Sequence, residues 1–264
     1  MKTITIPFLL LAVIACVEAR SAELHSAQQG SDAQVASLQE AANADMPPNS
    51  LSDEEKQLGW KLLFDGKKIE GWRSYETNTF PERGWVVEDG TLHKQADEKP
   101  GDIMTVDTYV DFELTWEWKL MSKGNNGVKY FITEKRGVPV GHEYQMIDDS
   151  RALNEYTTNA SFCFVLKPAA DKPNKPMGEW NRSRLVVRGN HVEHWLNGRK
   201  VLEYECGSPE VMNRVSKTRF KEYPGFGEKI RGHILLTDHE DPCWYRNLKI
   251  RVLDGAAGQG SRGD

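Results

Sequence analysis

Tyr109-Val110-Asp111-Phe112-Glu113-Leu114-Thr115-Trp116-Glu117-Trp118-Lys119 is the stretch on which the fold turns. Val110, Phe112, Leu114, Trp116 and Trp118 fall on one side of it, and Asp111, Glu113, Thr115 and Glu117 on the other. A helix has a period of 3.6 and cannot separate such an alternation, so this is a strand with one buried and one wet face. Two hairpins extend the pattern. Asp89-Gly90 joins Trp85-Val86-Val87-Glu88 to Thr91-Leu92-His93-Lys94, and Asn197-Gly198 joins His191 to Leu196 with Arg199 to Glu205; both dipeptides are type I′ turn signals. Further strands are expected at Lys61 to Phe64, Gly127 to Ile132, Glu143 to Ile147, Ser161 to Leu166, Asn181 to Arg188, Gly232 to Thr237 and Trp244 to Val252. Helix is scarce: Ser52 with Glu55 forms a capping box, and Ser208-Pro209-Glu210 opens a second short helix near Val211 to Lys217. Many short strands separated by Gly, Asn and Pro predict an all-β protein, a two-sheet sandwich or a barrel.

The chain has 264 residues, 39 % apolar and 28 % charged, with a net charge of −5. Acidic and basic residues are interspersed, so no basic face is offered to a nucleic acid. Residues 1–19 look like a secretory leader: Met1-Lys2 is followed by an apolar run from Ile4 to Val17, too short for a convincing membrane span. Val13-Ile14-Ala15-Cys16 is similar to a bacterial lipobox, in which a lipidated Cys16 would anchor the protein; cleavage near Ala19 or Ala22 is the alternative. Residues 20–51 read as a flexible tether, 52–254 as the working domain and 255–264 as a loose Gly/Ser-rich tail. The leader predicts an exported protein, periplasmic or held at the outer membrane of a bacterium. Cys163, Cys206 and Cys243 are odd in number and unlike any zinc spacing, so the fold does not rest on disulfides.

Reactive side chains concentrate in three places. In Gly141-His142-Glu143-Tyr144-Gln145-Met146-Ile147-Asp148-Asp149, position 146 is Met, so no zincin motif exists. Read as a strand, the segment puts Glu143 and Gln145 on one face, where a carboxylate beside an amide suits hydroxyl recognition or proton transfer, or simply a wet surface. In Gly127-Val128-Lys129-Tyr130-Phe131-Ile132, Lys129 and Phe131 are expected to share a face, and so apolar a strand obliges the lysine to reach water or meet a carboxylate, Glu143 for choice. Thr237-Asp238-His239-Glu240-Asp241-Pro242 follows an apolar strand and would set an imidazole among carboxylates at a sheet rim. It reads as a general acid or base, a solvated turn or a calcium loop without EF-hand spacing. Serine-nucleophile, P-loop and dinucleotide signatures are missing.

Taken in order, Trp60-Lys61-Leu62-Leu63-Phe64-Asp65-Gly66-Lys67, Gly71-Trp72, Trp85 to Gly90, Asn125-Asn126-Gly127-Val128-Lys129, Glu143 to Asp148, Gly178-Glu179-Trp180-Asn181, His194 to Gly198 and Ile234 to Asn247 resemble the 3-keto-disaccharide hydrolase domain family. The resemblance spans nearly all of the working domain. It implies a concanavalin A-like jelly roll, a β-sandwich with one or two short peripheral helices, that cleaves glycosides already oxidised to a ketone at sugar C3. Where the family pattern has glutamine, aspartate, histidine and glycine, this chain has Thr237-Asp238-His239-Glu240, and the stretch from Asp149 to Ser161 also departs from it. A 3-keto group acidifies the C2 proton, so a base can remove it, the C1 substituent leaves, and water adds to the enone. For this reaction the residues suggest Glu143 and His239 as the base and acid pair, in either order, Lys129 or Arg246 at the enolate oxygen, and Gln145, Asp148 and Asp238 on hydroxyls, because Lys129 and Glu143 are expected to face each other on adjacent strands. The resemblance implies no metal ligand or cofactor, although a divalent cation would serve in place of the cationic group. The partners implied are a carbohydrate substrate and an upstream sugar 3-oxidoreductase. The competing class is a non-catalytic, lectin-like carbohydrate-binding domain of the cell envelope, which would show an open groove of exposed Trp rather than a buried charged cluster.

Overall fold

A computed structural model describes residues 46–253, so the expected leader with Cys16, most of the tether and the tail lie outside the described residues. In chain order the strands are β1 (Lys61–Leu62), β2 (Trp72–Ser74), β3 (Trp85–Glu88), β4 (Thr91–Lys94), β5 (Ile103–Thr105), β6 (Phe112–Leu120), β7 (Asn125–Ile132), β8 (His142–Ile147), β9 (Asn181–Arg188), β10 (His191–Leu196), β11 (Arg199–Glu205), β12 (His233–Leu236) and β13 (Cys243–Val252). Helices α1 (Asp53–Gln57) and α2 (Pro209–Val215) lie at the periphery. The capping box of Ser52 and Glu55 opens α1, and Ser208 caps α2 with Pro209 at its first position.

Eight strands make the larger sheet, in the order β11-β10-β9-β6-β13-β4-β3 with β1 also on β13; five make the smaller, β2-β5-β12-β7-β8. The pairings are antiparallel, and the two sheets enclose one core as a jelly-roll sandwich. At its centre β6 behaves as its alternation requires: Phe112, Leu114, Trp116 and Trp118 are buried, while Glu113, Thr115 and Glu117 pair sideways with β9 and β13 on the outer face. Both hairpin turns adopt the left-handed backbone that a type I′ turn needs, at Asp89-Gly90 and Asn197 with Gly198. Cys163, Cys206 and Cys243 are free and buried.

Strands β2 and β5, at three residues each, are too short to show a period in the sequence. Two expectations are corrected. Ser161 to Leu166 is not a regular strand: Ala160 and Phe164 have positive φ, and only isolated bridges tie Phe162 to Tyr144 and Leu166. Phe131 does not share the face of Lys129. With φ of 59° it breaks the alternation, turns into the core beside Tyr130, and sends Ile132 to the outer face with Met104 and Leu235. Gly232 makes this bulge feasible, because a Cβ there would stand 2.6 Å from the Phe131 backbone.

A hydrogen-bonded chain crosses the core from sheet to sheet. His194 Nδ1 is 3.0 Å from the Ala160 carbonyl, which can only accept, so that nitrogen carries the proton. In the neutral ring Nε2 then accepts from Tyr130 Oη (2.8 Å), which accepts from Tyr204 Oη (2.6 Å), which accepts from His142 Nδ1 (2.8 Å). All four side chains are buried. Burial holds His142 well below its ordinary pKa and brings His194 down to about 4, against the opposing pull of the Ala160 carbonyl. The unfolded chain binds protons at these rings below about pH 6.5, and the folded chain does not. Stability is therefore full above that pH and falls as the pH drops toward 4, with His194 alone contributing on the order of 3 kcal/mol. Urea denaturation should show this loss, and His194→Leu, less stable at neutral pH, should lose less on acidification; an equal loss in both proteins would refute the assignment.

Candidate functional site

Strand register lays one row of side chains across the outer face of the smaller sheet. Arg73 stands opposite Met104, Met104 opposite Leu235, Leu235 opposite Lys129, and Lys129 opposite Glu143. Cys163 continues the row, its backbone N–H donating to the Glu143 carbonyl at 3.1 Å. Lys129 and Glu143 are nearly covered, with side-chain exposures of 16 % and 12 %.

Glu143 can lie down on the sheet because Gly127 stands diagonally beneath it; any Cβ at Gly127 would overlap the carboxylate. His239 Nε2 approaches Glu143 Oε1 to 3.8 Å, an ion-pair separation longer than a hydrogen bond. Oε1 itself has no hydrogen-bond partner. Burial alone would raise the Glu143 pKa, but His239, Lys129 and Arg219 outweigh it and hold the group below its ordinary value. The ion pair that Lys129 makes is with Asp102, at 3.7 Å, not with Glu143, and its ammonium also donates to the Pro139 carbonyl at 3.2 Å. Burial pushes Asp102 up, against the pull of Lys129 and of the Asp238 N–H that its Oδ1 accepts at 2.8 Å. Two carboxylates pushed in opposite senses on either side of one ammonium are a usual arrangement for moving protons.

The rest of the expected site divides. Gln145 lies two residues from Glu143 on the same face, its amide N–H donating to Asn125 Oδ1 at 2.9 Å and its Oε1 unpartnered. Asp238 is close to the cluster but occupied. Its Oδ1 meets the fully buried Lys94 ammonium at 2.9 Å and accepts from Glu240 N, and its Oδ2 accepts from Gly101 N, which leaves it a positioning group rather than a sugar ligand. Asp148 closes a turn, accepting from Lys123 N and from Ser150 N and Oγ. Arg246 lies on the outer face of the larger sheet, paired with Glu117 at 2.6 Å and stacked on Trp180, across the whole sandwich from Glu143. Odd–even position along β13 decided that, and no local signal shows which sheet a strand joins. Asp102 escaped notice for the same reason as β5, which it precedes. Asn126 is the other supporting residue: its Oδ1 accepts from Gly127 N, Thr237 Oγ1 and Tyr245 Oη, joining the floor under Glu143 to the loop that carries His239.

Among the described residues, the set of three carboxylate or imidazole groups within reach of one metal ion is His191, Glu193 and Glu203, at the edge of the larger sheet, where Lys200 already contacts both glutamates. None of the eight Trp is among the exposed large apolar residues, and none lies in the row beside Glu143.

A sandwich that gathers a carboxylate, an imidazole and an ammonium on one sheet face is built as a carbohydrate-active protein of the glycoside hydrolase type, and comparison supports that class. A 3-keto-disaccharide hydrolase of Bacteroides thetaiotaomicron is 30 % identical over 230 residues, covering 74 % of this chain and 79 % of that one. Two solved structures from Parabacteroides distasonis, both described as candidate glycosyl hydrolases, are also similar. One has 32 % identity and a TM-score of 0.71, covering 79 % of this chain and 100 % of its own; the other has 30 % identity and a TM-score of 0.61, covering 74 % and 99 %. Residues 59–251 match the profile of the 3-keto-alpha-glucoside-1,2-lyase-like domain, and the chain belongs to that family.

Removing the Asp238 carboxylate would leave the Lys94 ammonium buried without its counter-ion. Asp238→Ala should therefore cost about 3–5 kcal/mol of stability by urea denaturation. A fully stable variant with only a raised KM would return Asp238 to the role of sugar ligand.

Proposed function

We propose that this protein cleaves 3-keto-glycosides by elimination followed by hydration. The observation that carries the reading is the nearly covered pair Glu143 and Lys129 on the outer face of the smaller sheet, with the half-exposed His239 beside Glu143. The Glu143 carboxylate, ionised at neutral pH, takes the proton from C2 of the sugar. The Lys129 ammonium stabilises the negative charge that moves onto the C3 oxygen, which gives the fixed charge complementarity that such a step requires. His239 is half-exposed and gives a proton to the oxygen leaving C1, so the C1–O bond breaks as the C1–C2 double bond forms. Water then adds its hydroxyl to C1 and a proton returns to C2, giving the free 3-keto sugar. This differs from direct glycoside hydrolysis, in which two carboxylates flank an oxocarbenium-like centre.

The family and its named relatives support this chemistry over the lectin-like alternative, and the absence of a Trp platform beside Glu143 agrees with them. The reading also requires a separate oxidoreductase to install the ketone at C3. An exported setting follows from the leader-like run ending near Cys16, and Cys16→Ala would abolish incorporation of labelled palmitate if that residue is the lipid anchor.

Paired native and 3-keto glycosides with the same aglycone test the reading directly. Release of the aglycone from the keto member alone is the expected result; release from both, or from neither, would refute it. Glu143→Gln should lower kcat by about 10²- to 10⁴-fold. Gly127→Ala adds one methyl and displaces the carboxylate, so it should cost about 100-fold in kcat with native-like circular dichroism. If EDTA abolished turnover and added divalent metal restored it, the electrophile would be a metal ion rather than Lys129.

A further inference from the structure

Phe164, the residue after Cys163, lines a cavity of about 390 Å³ between the loop at 154–164 and the end of α2 with the segment that follows it. Its volume suits one sugar ring or a small aromatic group. Tyr156 and Phe164 form its apolar lining, and the two are tied together by the Phe164 N–H, which donates to the Tyr156 carbonyl at 2.8 Å. The positive φ of Phe164, 67°, belongs to the break that separates this segment from a regular strand.

Its charge sets it apart from the rest of the molecule. Arg214, Lys217 and Arg219 all line it, and no carboxylate does. The Arg214 guanidinium stacks 3.8 Å from the centroid of the Tyr156 ring, with its Nε donating to the Val165 carbonyl, and Arg219 lies over Phe164 at 5.7 Å. Glu155, next to Tyr156 in the chain, pairs with Lys167, and the charge of Arg214 also acts on it. On the larger sheet several cations meet carboxylates: Arg184 and Arg251 with Glu113, Arg246 with Glu117, Lys200 with Glu193 and Glu203. With no carboxylate in the lining, an oxyanion placed among Arg214, Lys217 and Arg219 gains charge-assisted hydrogen bonds from them. The cavity is also electrically close to the candidate base, since the charge of Arg219 acts on both Glu143 and Cys163.

We propose that this cavity is a subsite for an anionic group of the substrate, a carboxylate or sulfate carried by the aglycone or by the next sugar. The aromatic walls hold the ring that bears the group, and Arg214, Lys217 and Arg219 hold its oxygens. The inference rests on the reading of Glu143 as the centre of the reaction, because the row from Glu143 through Cys163 is what leads from the bond being broken to the cavity.

Phenyl and 4-carboxyphenyl 3-keto-glucosides test it. The wild-type protein should favour the carboxylated substrate about tenfold in kcat/KM, less at high salt, and Lys217→Gln and Arg219→Gln should each bring the ratio down to about threefold or less. Comparing ratios between wild type and variant cancels the intrinsic difference in leaving group and any effect of Arg219 on Glu143. A ratio near one in the wild type, or one unchanged in both variants, overturns the subsite. If neither substrate is cleaved, the reaction reading fails, and calorimetry with the unoxidised phenyl and 4-carboxyphenyl glucosides still decides the subsite. Tighter binding of the carboxylated glucoside that Lys217→Gln weakens supports it, and equal binding of the two overturns it.

Discussion

The arrangement of the site depends on an ammonium group kept away from water. Lys94 ends β4 on its inward side with no exposed surface, and an ion so placed costs several kcal/mol unless its neighbourhood replaces the hydration it has lost. The carbonyls of Gln95 and Glu98 supply two acceptors and Asp238 the counter-charge. Lys94 belongs to the larger sheet and Asp238 follows β12 of the smaller, so this pair fastens the reactive loop across the sandwich. From Asp238 the order spreads outward: its N–H holds Asp102, Asp102 faces Lys129, and the next residue in the chain is His239. Asn126 makes a second fastening through Thr237 and Gly127.

The two outer faces of the sandwich have opposite characters. On the larger sheet nearly every charge is matched and the aromatic rings are roofed by cations, with Lys119 over Trp180 and Trp244, Arg184 over Trp195 and Arg251 over Trp60. Such a surface has little left to offer a ligand. On the smaller sheet, Glu143 Oε1 and Gln145 Oε1 are buried without partners, and the cavity beside Phe164 has cations but no carboxylate in its lining. Unmet hydrogen-bonding capacity costs stability, and it persists where a ligand supplies the missing partner.

Much of this could be read along the chain. The alternation of β6, the two type I′ hairpins and both helix caps depend on a few consecutive residues, and local sterics enforce them in any surroundings. Glu143 and Gln145 sharing a face follows from the pleat alone. Where β7 departs from the pleat, at Phe131, the backbone comes close to Gly232, just ahead of β12, and nothing local announces it. Strands β2 and β5 are held by pairing with neighbours rather than by any pattern of their own.

The sequence by itself determined the sandwich, the family and the two segments that carry Glu143 and His239, because periodicity, turn chemistry and ordered motifs are properties of neighbours in the chain. Which charges would meet was decided only by the tertiary structure. Asp238 and Arg246 stand eight residues apart in the chain, yet Arg246, on β13, ends on the far face against Glu117 and Asp238, just after β12, inside against Lys94. Lys129 found Asp102 instead of Glu143. The physical reason is that electrostatic partnership depends on distance and burial in space, and both are set by the order of strands in the sheets, which no short stretch of residues encodes.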